Sequence, residues 1–171
     1  MKTQIKYLFL VFSLIIFSSG CSSDDDSSGD LECLNCGPTN YDDITRVHIA
    51  DNESNMSTDS IMATNQNGSL LNSGDVIIYK TNEGRFGKLE VLNIDETNNY
   101  KLAIKAVTFK LDGTVYSQTS FLEIEGTYDC DLDLMDSNPI YQNEDFLWER
   151  VTQFDTYLES INDAEFYIFT F

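Results

Sequence analysis

The apolar positions of this chain fall into three regimes. Tyr7 to Phe17 is a nearly unbroken apolar run, interrupted only by Ser13. A polar stretch without periodicity follows it. From Asp75 onward the apolar residues recur in short runs bounded by turn residues. Asp75 to Thr81 (DVIIYKT) is the first such run, Asn82-Glu83-Gly84 is a turn, and Gly87 to Ile94 (GKLEVLNI) is the second. The pair predicts a hairpin. Tyr100 to Lys110 predicts a third strand, with Leu102, Ile104 and Ala106 on one face and Lys101, Ala103 and Lys105 on the other. Asp112-Gly113 is a hairpin turn signal, because glycine accepts positive φ without steric cost. Thr114 to Ile124 and Thr127 to Leu134 then predict strands four and five. Links this short require antiparallel pairing, since a parallel pair needs a crossover of about a dozen residues or more. Glu165 to Phe171 (EFYIFTF) predicts a closing strand, because an apolar end left unpaired would aggregate.

Two stretches break this rhythm. Leu147, Val151, Phe154, Leu158 and Ile161 recur at steps of four and three, which predicts an amphipathic helix near Asp145 to Ser160 with Asn143 or Asp145 as its cap. The competing reading is two short strands, since Thr152, Thr156 and Tyr157 are poor helix formers. Nearer the start, Arg46 to Ala50 predicts a strand, and Asp51 to Asn67 a long loop with one helical turn near Ser60 to Ala63. The fold class expected is mainly β (α+β): an antiparallel meander sheet or open barrel with one C-terminal helix packed on it. Residues 41–171 form a single β-rich domain in this reading.

The opening run has a different logic. It is too short to span a bilayer as a helix, which takes about 20 apolar residues. A positive head (Lys2, Lys6), a short apolar core and the small residues Ser18, Ser19 and Gly20 make a secretory signal, with Cys21 at its exit. Ser18-Ser19-Gly20-Cys21 resembles a bacterial lipobox, although Ser18 stands where Leu is usual. The acidic run Ser22-Ser23-Asp24-Asp25-Asp26 resembles the export tag of Bacteroidota-type surface lipoproteins. The resemblance covers these first 26 residues alone and implies lipidation at Cys21, with Asp24, Asp25 and Asp26 directing the protein to the outer face of the outer membrane. Each buried acyl methylene adds about 0.8 kcal/mol, so several chains on one cysteine make a stable anchor. Residues 1–20 are then a lipoprotein signal peptide, and residues 21–40 a flexible acidic tether with little apolar to bury.

Charge narrows the partners. The chain carries 29 acidic and 10 basic residues, for a formal net charge of −19, and loss of Lys2 and Lys6 with the leader makes it more negative still. Nucleic acid would be repelled. Adsorption through a basic face onto anionic headgroups is likewise disfavoured, so the membrane is reached through the lipid anchor.

Candidate chemistry is sparse. Cys33-Leu34-Asn35-Cys36 is a CxxC pair. A redox pair should open a helix after a buried strand, and these flanks are tether and Gly37-Pro38. A zinc site needs further ligands, and Cys130 and His48 belong to no second pair. The expectation is a disulfide, either Cys33 with Cys36 or one of them with Cys130. Asp129, Asp131 and Asp133 alternate with Tyr128, Cys130, Leu132 and Leu134. They fail as an EF-hand start, because Leu134 stands at the turn glycine and Ile140 at the bidentate glutamate. Period two instead puts the carboxylates on one wet face, where they are candidate calcium ligands; no other cofactor is implied. His48, on the expected strand, reads as a solvent-facing residue. No GxSxG, HExxH or phosphate-cradling glycine loop occurs, so no catalytic residue is assigned. Asp59-Ser60-Ile61 resembles a Bacteroidota-type O-glycosylation sequon, with Ser60 as acceptor. Tyr79, Phe86, Tyr116 and Trp148 are the aromatics that either fill the core or form a binding patch.

The functional expectation is an outer-membrane, cell-surface lipoprotein carrying a non-catalytic module that binds glycan or an envelope protein. The alternatives are a small glycan-acting hydrolase and an inhibitor or immunity lipoprotein.

Overall fold

The structure, a computed structural model, describes residues 37–140 and 143–171. The signal peptide, Cys21, the Asp24-Asp25-Asp26 run and the Cys33/Cys36 pair lie outside the described residues.

The strands in chain order are β1 (Ile61–Asn65), β2 (Gly68–Ser69), β3 (Val76–Lys80), β4 (Phe86–Asp95), β5 (Lys101–Phe109), β6 (Val115–Ile124), β7 (Tyr128–Asp131), β8 (Asp136–Ser137), β9 (Phe146–Arg150), β10 (Thr156–Ser160) and β11 (Glu165–Phe169). They form two antiparallel sheets rather than a closed barrel. A five-stranded sheet runs β11-β3-β4-β5-β6, and a six-stranded sheet runs β2-β1-β10-β9-β7-β8. The expected meander is the β3-β4-β5-β6 part of the first sheet. Its tight links behave as their residues dictate: Gly84 and Gly113 hold φ of +79° and +85°. Asp112 Oδ1 accepts from Thr114 N at 2.9 Å and so fixes the β5–β6 turn. The fifth strand, β7, leaves the meander and joins the second sheet.

The two sheets face one another across one core. Ile77, Tyr79, Leu89, Leu102 and Ile104 from the first sheet meet Phe146, Trp148 and Leu158 from the second. Trp148 is fully buried, and its Nε1–H donates to the Tyr100 carbonyl at 2.6 Å. Tyr79 is also fully buried; it pairs across the strands with Gly87, and its hydroxyl lies 2.8 Å from Thr108 Oγ1. A side chain at position 87 would collide with the ring, since a Cβ built there falls 2.2 Å from Tyr79 Cζ.

The stretch expected to be a C-terminal helix is a β-hairpin instead, β9 paired with β10. The inward residues are Phe146 and Trp148, then Thr156 and Leu158, which is a period of two. Val151 and Phe154, which the helical reading buries, lie in the connecting loop and are exposed. That loop is tied by Thr152 and Asp155, with Thr152 Oγ1 donating to Asp155 Oδ2 at 2.9 Å.

Arg46–Asp51, expected as a strand, is a short α-helix, α1. His48 Nδ1 accepts from Thr45 N at 3.1 Å, so the histidine closes the start of the helix rather than facing solvent on a strand. Ile44, Ile49 and Met56 cover the outer face of the first sheet, over Val76, Ile78 and Phe86. Ile61 to Ala63, just after Ser60, is the start of β1 rather than a helical turn.

Candidate functional site

The two hairpin tips of the first sheet stand side by side. The β3–β4 turn supplies Glu83, Gly84 and Arg85, and the β5–β6 turn supplies Lys110, Leu111 and Asp112. With Tyr116 they line an open cleft of about 520 Å³. Leu111 and Tyr116 are exposed there, at 80% and 42% of their surface. The Arg85 guanidinium lies over the Tyr116 ring, 4.0 Å from its centroid, and so stiffens one wall.

Arg85 is held from below as well as from the side. Its Nη1 donates to Asp133 Oδ2 at 2.8 Å and also to the Glu83 carboxylate. Asp133 belongs to the turn after β7, where the chain reverses under the cleft. Asp131 Oδ1 accepts from Asp133 N and Leu134 N, both at 2.8 Å, which shapes that turn. Asp145, fully buried, joins the two sheets. Its Oδ1 accepts from Asn82 N and its Oδ2 from Leu132 N, each at 2.8 Å. The cleft walls therefore rest on a knot of buried carboxylates; among the described residues, Asp133 Oδ1 and the neighbouring Asn82 amide oxygen have no hydrogen-bond partner.

Burial disfavours the charged form of these acids. It pushes Asp145 up to about 7 against the pull of its two backbone donors. It raises Asp133 despite Arg85, and Asp131 despite its turn bonds. Between the ordinary carboxylate range and about pH 7, the folded state thus binds more protons than the unfolded state. Stability falls as pH rises through that window. We expect the thermal midpoint of the parent chain to be higher at pH 5 than at pH 8, and the difference to shrink in Asp145→Asn. A thermal scan followed by circular dichroism at the two pH values checks this; a midpoint that rises with pH would contradict it.

The other sequence-predicted residues fall elsewhere. The three aspartates expected on one wet face do not share one. β7 ends at Asp131, so Asp131 and Asp133 turn inward while Leu134 turns out to solvent, and only Asp129 is partly exposed. Among the described residues, no group of three or more His, Cys, Asp or Glu side chains is placed to hold a metal ion. Cys130 is a buried free thiol, and burial pushes its pKa up; Cys33 and Cys36, its expected disulfide partners, lie outside the described residues. Ser60 is exposed just ahead of β1. Tyr79, Phe86 and Trp148 belong to the two cores, and of these four aromatics Tyr116 is the one that reaches the surface. The residues missed by sequence reasoning are Arg85, Leu111 and the supporting Asp145. The turn signal beside Gly84 and the Leu111-Asp112-Gly113 run marked the two tips but not their adjacency.

No protein-family model, curated protein or solved structure matches this chain.

Proposed function

We propose that this chain is a lipoprotein anchored through Cys21, carried to the outer face of the outer membrane by Asp24, Asp25 and Asp26, and that its β domain is a non-catalytic module binding an uncharged glycan in the hairpin-tip cleft. The observation that carries the reading is the make-up of the cleft. In a chain with 29 acidic residues, the lining charges cancel, with Glu83 and Asp112 set against Arg85 and Lys110. Exposed Leu111 and Tyr116 lie beside them. Apolar walls with a few convergent polar groups are the usual make-up of a small-ligand site. A sugar ring offers the matching surface: C–H faces for Tyr116 and Leu111, hydroxyls for the charged groups. A strongly charged ligand would disturb the balance around Arg85.

The binding test is a glycan array probed with the purified protein and with Tyr116→Ala. Loss of an exposed aromatic wall should weaken binding about tenfold, which corresponds to about 1.4 kcal/mol. Equal array profiles for the two proteins would contradict a role for the cleft. The anchor has its own test. Cys21→Ala should leave the membrane fraction, and a variant that stays there after a high-salt wash would place the anchor elsewhere.

A further inference from the structure

Arg85 lines the hairpin-tip cleft with its side chain 25% exposed. A guanidinium carries five N–H donors in one plane. Among the described residues, both hydrogen bonds of Arg85 leave from Nη1, to Asp133 Oδ2 at 2.8 Å and to the Glu83 carboxylate. The edge of the plane away from Nη1 carries Nε–H and one Nη2–H. These two bonds run side by side and suit two neighbouring oxygens of one ligand. The plane is not free to turn away, because Asp133 holds it and the Tyr116 ring packs 4.0 Å from its central carbon.

Acceptors stand in the same cleft. Glu83 uses Oε2 for Arg85. Asp112 uses Oδ1 for the backbone N–H and the hydroxyl of Thr114, at 2.9 and 2.7 Å. The second oxygens, Glu83 Oε1 and Asp112 Oδ2, have no donor among the described residues, and both side chains line the cleft. A paired donor edge and bare carboxylate oxygens are therefore offered together.

This combination selects the group that fits. An ionised carboxylate or phosphate matches the donor edge but has no hydrogen to give, so the bare oxygens of Glu83 and Asp112 repel it. An ether oxygen accepts but cannot donate. A hydroxyl does both. Two hydroxyls on adjacent ring carbons accept from the Arg85 edge and donate to the carboxylates. The ring fixes their spacing before binding, which lowers the ordering cost. Equatorial hydroxyls on alternate ring carbons stand too far apart for one guanidinium edge.

We propose that the cleft recognises the vicinal diol of a sugar ring, and that Arg85 sets this specificity. The inference rests on the reading of the cleft as a glycan site and adds a linkage rule to it. A hexopyranose chain linked through carbon four leaves the hydroxyls on carbons two and three free, and these are adjacent. Linkage through carbon six leaves those on carbons two, three and four. Linkage through carbon three leaves the ring hydroxyls on carbons two and four, which are not adjacent. The cleft therefore takes inner residues of the first two kinds of chain and rejects those of the third. A site built to bond a hydroxyl discriminates against a ligand lacking it, because its own polar groups are left unpaired.

The test uses immobilised, unbranched neutral glucans, galactans and mannans linked through carbon three, four or six. The parent should bind a chain linked through carbon four or six at least about tenfold more tightly than the carbon-three chain of the same sugar. Arg85→Lys keeps a positive charge beside Asp133 but presents no fork, so it should lose this preference. Tyr116→Ala should weaken whatever the cleft binds. A parent that binds carbon-three chains as tightly as the others overturns the diol rule alone, when Tyr116→Ala still shows the chains to be in the cleft. A preference that persists in Arg85→Lys overturns the role given to Arg85. Binding to none of the chains overturns the glycan reading and the diol rule with it. The parent's preference is read without any variant, so the rule stands or falls even where Arg85→Lys fails to fold.

Discussion

Trp148→Ala should destabilise the domain by about 3–5 kcal/mol, the range for deleting a large buried aromatic. Trp148 is fully buried where the second sheet meets the first. Its removal leaves a cavity that both sheets line. It also strands the Tyr100 carbonyl, which now accepts the indole N–H at 2.6 Å. Tyr100 itself sits at φ of +52° and donates from its hydroxyl to the Gln153 carbonyl at 2.8 Å, so the strain it carries is held in place by this neighbourhood. The cost is a large part of the 5–15 kcal/mol or so that a small domain has in total. Urea unfolding of the parent and variant reads it directly. Phe154→Ala is the control: its ring lies in the β9–β10 loop, 46% exposed, and its loss should cost no more than about 1 kcal/mol. A reversed order of the two variants would restore the helical reading of this stretch.

Gly87→Ala should cost about 3 kcal/mol, at the upper end of what overpacking does. The added methyl would have to occupy the space of the Tyr79 ring, with Cε2 at 2.3 Å and the hydroxyl oxygen at 2.4 Å from the new Cβ. The ring cannot swing aside cheaply. Its hydroxyl donates to the Val107 carbonyl at 3.2 Å, and its face tilts against Phe166 at a centroid distance of 6.2 Å. Tyr79→Leu/Gly87→Ala should recover part of the loss, because the smaller side chain vacates the space above position 87. Thermal unfolding of the single and double variants checks this, and additive losses in the double variant would contradict the steric account.

Both residues show what the linear pattern carries and what it does not. The β3-β4-β5-β6 meander was legible because its information is local: alternation within each strand, and turn glycines between them. The second sheet was not, because β1–β10 and β7–β9 pair across separations that no local pattern records, and the local β9–β10 hairpin lay under a helical spacing. Leu147, Val151, Phe154 and Leu158 carry a helical spacing by coincidence. The inward pair Phe146 and Trp148, two apart, with Thr156 and Tyr157 downstream, was the better signal. For α1, the polar Thr45 three residues before His48 marked a helix start that the Val47-His48-Ile49 alternation concealed. At the candidate site, Tyr116 could be singled out only as one of several aromatics that could fall on a strand face, and Phe86, the one expected near a hairpin tip, is buried. Arg85 and the buried acids could not. Nothing local distinguishes Asp145 from the solvated acids, and its burial follows from two sheets closing over it.

The cleft at the two hairpin tips is the centre of the functional account, and amide chemical-shift mapping tests it most directly. A glycan that binds on the array is titrated into isotope-labelled protein, and the perturbed residues are placed on the fold. The account predicts that the shifts concentrate at Glu83 to Arg85 and Lys110 to Tyr116, with smaller changes at Asp133 beneath Arg85. Shifts that spare both tips, and gather instead around Tyr41 and Lys105 on the outer face of the first sheet, would contradict it.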